Sequence, residues 1–194
     1  VTVRSGETGQ MRVTVTKRAS SSNRLNQIEV NLMEQEDGLR IETSQPRPMA
    51  GYMAVDLEIV VPADTQVDVS DGAGNVRING VGGEITAFSG AGNVRVEGAT
   101  GPVSLETGAG QIDYEGEPEG DCTFQNGAGS ITLRLPSDVN VEVELTTGVG
   151  NINLGGFDVE GQISRTEVDG TIGTGEDATI DAHTGAGSLT LVQR

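Results

Sequence analysis

Gly72-Ala73-Gly74-Asn75-Val76-Arg77-Ile78-Asn79-Gly80 is written again, eighteen residues on, as Gly90-Ala91-Gly92-Asn93-Val94-Arg95-Val96-Glu97-Gly98. The phrase is a glycine-small-glycine turn, one polar residue and an alternating apolar pair. It returns as Gly108-Ala109-Gly110-Gln111-Ile112, Gly127-Ala128-Gly129-Ser130-Ile131, Gly148-Val149-Gly150-Asn151-Ile152 and Gly185-Ala186-Gly187-Ser188-Leu189. The first three copies start 18 residues apart, and the next two gaps are 19 and 21. Self-similarity at a period of this size is the sequence sign of a solenoid.

Inside the repeat a finer period of about nine holds one turn and one short strand: Gly72–Gly80, Val81–Ser89, Gly90–Gly98, Ala99–Thr107 and Gly108–Gly116. Alternation of period two marks the inward side chains. They are Val76/Ile78, Ile85/Ala87, Val94/Val96, Val103/Leu105, Ile112/Tyr114, Cys122/Phe124, Ile131/Leu133, Val141/Val143, Ile152/Leu154, Ile180/Ala182 and Leu189/Leu191. The pattern blurs at Ile163 and Ile172. Two strands per 18 residues predict an all-β chain: a right-handed parallel β-solenoid of about six to seven coils, the hand following the crossover rule. The paired glycines 72/74, 90/92, 108/110, 127/129, 148/150 and 185/187 (Gly72, Gly74, Gly90, Gly92, Gly108, Gly110, Gly127, Gly129, Gly148, Gly150, Gly185, Gly187) are its expected corners. The residue after each pair forms a second column, Asn75, Asn93, Gln111, Ser130, Asn151 and Ser188, whose side chains suit hydrogen bonds up the stack.

Residues 1–66 read differently. Val1–Val3, Met11–Thr16, Ile28–Glu34, Leu39–Thr43 and Met53–Val61 are longer strands. Glu36-Asp37-Gly38 is a hairpin turn, Gln45-Pro46-Arg47-Pro48 a loop, and Ser20–Asn23 a link or the start of a short helix before Leu25. This half is expected to be an antiparallel cap (residues 1–66) on a solenoid formed by residues 67–194, one continuous unit, because an open solenoid end exposes a strand edge. Leu189–Val192 carries no visible cap, which predicts that this edge docks on another copy of the chain or on missing sequence.

The chain has 194 residues, 29 of them Gly, no Trp and 3% aromatics, so its core of Val, Ile, Leu and Ala is thin. The net charge of −17 is uneven. Residues 1–51 carry seven Lys/Arg and six Asp/Glu, while residues 52–194 carry five Arg and 23 Asp/Glu. Such a field repels nucleic acid and anionic lipid. A single Cys excludes an internal disulfide. No apolar run approaches the roughly 18 residues a bilayer span needs, so no direct membrane insertion is expected of this chain. No leader is visible before Val1, which fits a processed start and a cytoplasmic protein alike.

The chemical candidates are few. The glycine pairs lack the third glycine of a dinucleotide loop and the Lys-Ser/Thr of a P-loop. Calcium-loaded β-rolls need an aspartate after the glycines, and here Asn, Gln or Ser stands there. Asp113, Glu115, Glu117, Glu119 and Asp121, five acids in nine residues, remain as a candidate calcium loop or a solvated acidic loop. Aromatic platforms for sugar are limited to Tyr52, Phe88, Tyr114, Phe124 and Phe157, and parity turns Tyr114 and Phe124 inward. Parity also turns His183 outward and alone, and makes Cys122 an inert core thiol. The outward row Arg77, Arg95, Asp113, Thr132 is mixed in charge and is no threonine array.

The order of the pieces resembles a known family. Leu57-Glu58-Ile59-Val60-Val61-Pro62 leads to Val67–Val76 and the glycine-turn coils. Leu133-Arg134-Leu135-Pro136, Val141–Gly148 and Ala182–Leu189 follow. Two apolar strand ends closed by proline, at Val60–Pro62 and Leu133–Pro136, are its most specific marks. In these features the chain resembles, over nearly its whole length, the putative-adhesin β-solenoid family of bacterial and archaeal envelope proteins. The resemblance implies an extracytoplasmic protein (secreted, periplasmic or anchored at the cell surface), often tethered by a lipid or membrane segment, with no established catalytic residues.

The expectation is therefore a non-enzymatic surface solenoid, without cofactor unless calcium binds, that offers flat β faces to protein or glycan. Two other readings stand beside it: a carbohydrate-active β-helix enzyme acting on acidic polysaccharide, and an envelope-stress sensor domain fused to a membrane segment.

Overall fold

The structure is a computed structural model and describes residues 1–6, 10–35, 38–44, 46 and 52–194. Among these residues there are nineteen strands and one four-residue helix, so the protein is all-β. The N-terminal strands are β1 (Thr2–Ser5), β2 (Arg12–Ala19), β3 (Glu29–Gln35), β4 (Gly38–Ser44) and β5 (Met53–Val61), with α1 (Ser22–Leu25) after β2. Then come β6 (Val67–Asp71), β7 (Val76–Asn79), β8 (Ile85–Ser89), β9 (Val94–Ala99), β10 (Val103–Ala109), β11 (Ile112–Gly116) and β12 (Gly120–Ala128). The rest are β13 (Ile131–Leu135), β14 (Val141–Val149), β15 (Ile152–Asn153), β16 (Glu160–Ile163), β17 (Glu167–Ile172), β18 (Ala178–Ala186) and β19 (Leu189–Gln193).

The described chain divides into two compact units, Val1–Met11 with Val60–Arg194, and Arg12–Ile59. In the smaller unit β3 and β4 form an antiparallel hairpin, in register from Glu29↔Ser44 to Gln35↔Gly38. Ile28 is buried, and its carbonyl accepts a hydrogen bond from Lys17 Nζ at 2.8 Å. The Glu36-Asp37 part of the expected turn, and all of the expected Gln45–Pro48 loop but Pro46, lie outside the described residues.

In the larger unit the chain alternates between two open sheets. One runs β15-β19-β13-β11-β9-β7-β1, all parallel. The other runs β16-β17-β14-β18-β12-β10-β8-β6, parallel from β14 to β6 and antiparallel at β14/β17 and β16/β17. Each strand pair joined by a glycine turn (β6/β7, β8/β9, β10/β11, β12/β13, β14/β15, β18/β19) gives one member to each sheet. Inward side chains of both sheets share one core. Tyr114 of β11 meets Phe124 of β12 there, ring centroids 5.2 Å apart. Every inward pair named above is buried except Ile152/Leu154, which belong to the short edge strand β15 and its exit.

Three expectations need correction. Thr2, Val3 and Arg4 pair parallel with Arg77, Ile78 and Asn79, so the first strand extends the parallel sheet rather than an antiparallel cap. The division of the chain accordingly places Val1–Met11 with the repeats. The blurred stretch around Ile163 and Ile172 is a hairpin, β16/β17, laid antiparallel along β14 and making the sheets mixed.

The third correction concerns order. The pair β18/β19 does not follow β14/β15 in the stack; it lies between β12/β13 and β14/β15. Ile180 stands opposite both Cys122 and Val143, and Leu189 opposite both Ile131 and Ile152. Leu189–Val192 is therefore no open edge, and Leu189 and Leu191 are fully buried. The physical reason is the sameness of the repeats: every pair carries its glycines and apolar residues at equivalent places, so it fits at any level of the ladder.

Candidate functional site

The frame is built from two columns of glycine. A Cβ on Gly90 would lie 2.5 Å from the Gly72 carbonyl oxygen, and one on Gly108, Gly127, Gly185 or Gly148 would meet the glycine below it at 2.5 to 2.6 Å. The second glycine of each turn is tighter still. On Gly92, Gly110, Gly129, Gly187 and Gly150 the Cβ would overlap the carbonyl oxygen of Gly74, Gly92, Gly110, Gly129 and Gly187 respectively. Gly129 also takes φ of 134°, which L side chains avoid. The turns thus need glycine because backbone stacks on backbone, level by level.

Beside them runs a buried polar column. Ser89 Oγ donates to Gly74 O (3.1 Å), Thr107 Oγ1 to Gly92 O (3.0 Å) and Asn126 Nδ2 to Gly110 O (3.0 Å). Thr184 Oγ1 and Thr147 Oγ1 donate to Gly129 O and Gly187 O, both at 2.9 Å. Each buried hydroxyl or amide is spent on a carbonyl of the neighbouring turn, as burial of polar groups requires. The sequence reading missed this column, although one signal was present: a Ser, Thr or Asn directly precedes each glycine pair from Gly90 onward. The exposed column after the glycines behaves in part as expected. Asn75 Oδ1 accepts from Asn93 N (3.1 Å), Asn93 Oδ1 from Gln111 N (3.0 Å) and Asn151 Oδ1 from Ser188 Oγ (3.2 Å).

On this frame the outward side chains form straight rows. Along the eight-stranded sheet one row reads Asp68, Thr86, Ser104, Thr123, Asp181, Glu144, Asp169. The next reads Ser70, Phe88, Glu106, Gln125, His183, Thr146. Phe88 and His183 are exposed there. The first row is uncharged in the middle (Thr86, Ser104, Thr123) and acidic toward the β17 end, while the second carries Glu106 beside Phe88.

On the opposite sheet charges pair off. Arg95 bonds Glu97 at 2.5 Å, and that hydrogen bond holds the guanidinium above its ordinary range. Arg134 bonds Asp113 at 3.0 Å, and Arg194 reaches Glu117 at 3.0 Å and Glu115 at 3.9 Å. The expected calcium loop Asp113, Glu115, Glu117, Glu119, Asp121 runs from β11 into the start of β12. Among the described residues no three His, Cys, Asp or Glu side chains converge as a metal site. Three of the five acids face arginines that arrive from β13 and from the end of β19. Arg194 comes near only because β19 lies beside β13, which sequence order did not predict.

Cys122 is a free, buried thiol at the level of Val103 and Ile180, and burial pushes its pKa up to about 11. Burial likewise raises the Tyr114 hydroxyl above the ordinary phenol range, and that hydroxyl has no hydrogen-bond partner. Both groups are sealed in the core, so neither offers a nucleophile to solvent. Among the described residues no helix is long and apolar enough to cross a membrane.

No protein-family model matches the chain, and no curated protein matches it. Among solved structures, that of a putative cell adhesion protein from Clostridium sporogenes is similar at 16% sequence identity, with a TM-score of 0.57. The alignment covers 100% of this chain and 87% of that one. At this identity the likeness speaks for the fold: an all-β chain of the same arrangement.

Proposed function

We propose that the protein is a non-enzymatic interaction scaffold of the cell surface or envelope: a right-handed parallel β-solenoid of six coils that presents flat faces to a protein or glycan. One observation carries this reading. In-register pairing locks outward residues into straight rows with a repeat of roughly 4.8 Å, the spacing of paired strands. A wide, regular face of this kind suits an extended partner. The name of the Clostridium sporogenes neighbour agrees with an adhesion role. The right hand rests on the crossover rule for parallel strands. The uncharged strip Thr86, Ser104, Thr123 beside Phe88 is the contact surface we assign, since it is where the −17 chain repels an acidic envelope partner least.

The test is binding of fluorescent protein to intact cells and to immobilised envelope proteins and glycans. Wild type should bind, and Thr86→Glu/Ser104→Glu/Thr123→Glu should lose most of the signal with an unchanged circular dichroism spectrum. Turnover of a uronate polymer by wild type, abolished when a pair of acids is removed, would replace this reading with an enzymatic one.

A further inference from the structure

The pair β18/β19 comes after β14/β15 in sequence and before it in the stack, so it occupies a slot between two ladders already present in the preceding chain. The walls of that slot match each other. Cys122 and Val143 both face Ile180, Phe124 and Leu145 both face Ala182, and Asn126 and Thr147 both face Thr184. On the other sheet Ile131 and Ile152 both face Leu189. The offset is 21 residues on both sheets, which is the spacing of Gly127 and Gly148. With the insert out, β12 and β14 are left as two long strand edges of unpaired N–H and C=O groups, the kind of edge that recruits another strand.

The insert is joined to the strands before it by one crossing. β17 lies on the far side of β14 with Ile172 opposite Val141, and β18 begins on the near side with Ala178 opposite the same Val141. Residues 173–177 therefore pass over the start of β14. Asn140 pins them there. Its Oδ1 accepts from Thr174 N (3.1 Å), its Nδ2 donates to Asp177 Oδ2 (3.0 Å) and its carbonyl accepts from Asp177 N (2.9 Å). Gly173 and Gly175 take φ of 64° and 73°, conformations suited to a tight hinge. One seam of the insert is also electrostatically poor: Asp181 stands directly beside Glu144, and Glu144 beside Asp169. Like charges in opposed positions weaken a cross-strand pair.

We infer that this slot is a strand-accepting site, and that its occupant between molecules is the same segment, Ala178–Gln193, of a second copy. The crossing at 173–177 opens, and two copies exchange inserts. The second copy is selected by the demands of the slot. An occupant needs glycine where Gly185 and Gly187 meet the carbonyls of Gly127 and Gly129, because a Cβ at either place collides with backbone. It also needs a donor where Thr184 Oγ1 reaches Gly129 O. An identical segment meets every demand and creates no new contact except at the opened crossing, the ordinary economy of domain swapping.

The exchange is read with full-length chains carrying Cys122→Val, so that no native thiol interferes. One population carries Thr123→Cys and the other Asp181→Cys, positions paired in register and facing outward. Neighbouring strands bring such cysteines within disulfide reach. The two are mixed, unfolded, refolded together and oxidised mildly. The expected result is a covalent heterodimer in clear excess over either homodimer, with a yield that rises with protein concentration. Asn140→Ala, which removes two of the three pins, should raise that yield several-fold. Homo- and heterodimers in random proportion, or no heterodimer when Thr123→Cys/Asp181→Cys in one chain closes efficiently within itself, would overturn the inference. Should a cysteine variant fail to fold, wild type decides by light scattering after refolding over a range of concentrations. A dimer that grows with concentration and dissociates only slowly on dilution supports exchange, and a strict monomer refutes it.

Discussion

Thr184 Oγ1 donates to the Gly129 carbonyl oxygen at 2.9 Å, across 55 residues of sequence. The contact joins the inserted pair to the wall built by β12/β13, and it is one of five of its kind. Replacing Thr184 by Val keeps the shape and leaves a buried carbonyl without its donor. A loss of about 1–3 kcal/mol is expected, the cost of an unsatisfied buried group. Urea midpoints of Thr184→Val and wild type measure it, with Thr190→Val, on the outward face, as the near-neutral control.

The glycine columns make a sharper contrast. Gly129→Ala puts a Cβ into the Gly110 carbonyl at a φ of 134° and should cost well above 2 kcal/mol or prevent folding. Gly72→Ala meets nothing within 4 Å, and its effect should stay within about 1 kcal/mol. Equal melting temperatures for the two variants would refute the stacking account.

Tyr114 gives a case where removal should help. Its buried hydroxyl has no partner, so Tyr114→Phe sheds an unpaid desolvation and keeps the ring against Phe124. A gain of about 1 kcal/mol is expected. A clear loss of stability would mean that the hydroxyl is satisfied in solution.

Alkaline pH should unfold the protein early. Cys122 ionises near its ordinary 9.0 when unfolded and only near about 11 when buried. Between those values the folded state keeps a proton that the unfolded state gives up. Stability is thus intact below about pH 9 and falls as pH approaches 11, by at most about 2–3 kcal/mol at 1.36 kcal/mol per unit. Tyr114 acts in the same direction above its ordinary value of 10.0. Denaturation midpoints of Cys122→Val should be flatter over that interval. The same burial makes Cys122 inert to thiol reagents at neutral pH until the protein unfolds.

The seam between β14 and β18 should respond to charge. Glu144 stands between Asp181 and Asp169, so Glu144→Gln should stabilise by roughly 0.5 kcal/mol. The gain should shrink in high salt, where the repulsion is already screened. Thermal melts at two ionic strengths test both signs.

The sequence made the inward pairs legible because alternation fixes parity: Val94/Val96 and Ile112/Tyr114 are where period two puts them. It made the corners legible because six glycine pairs fall at matched places. It hid the order of the levels, for the same reason. An adjacent neighbour and an inserted one leave Cys122 and Val143 in identical register, so nothing local distinguishes them. That hidden step carried Arg194 to Glu115 and Glu117, two of the acids of the expected calcium loop. The first strand departs from the expected antiparallel cap because a short strand such as Thr2–Ser5 looks alike in sequence whether its partner runs parallel or antiparallel.

Placing β19 between β13 and β15 has a mechanical meaning. A load applied at Arg194 along the strand pulls β19 lengthwise past two neighbours at once. Hydrogen bonds on both flanks then resist together in shear, whereas an outermost strand peels away one bond at a time. Held between β13 and β15, β19 must therefore lose its bonds together rather than in succession under such a load.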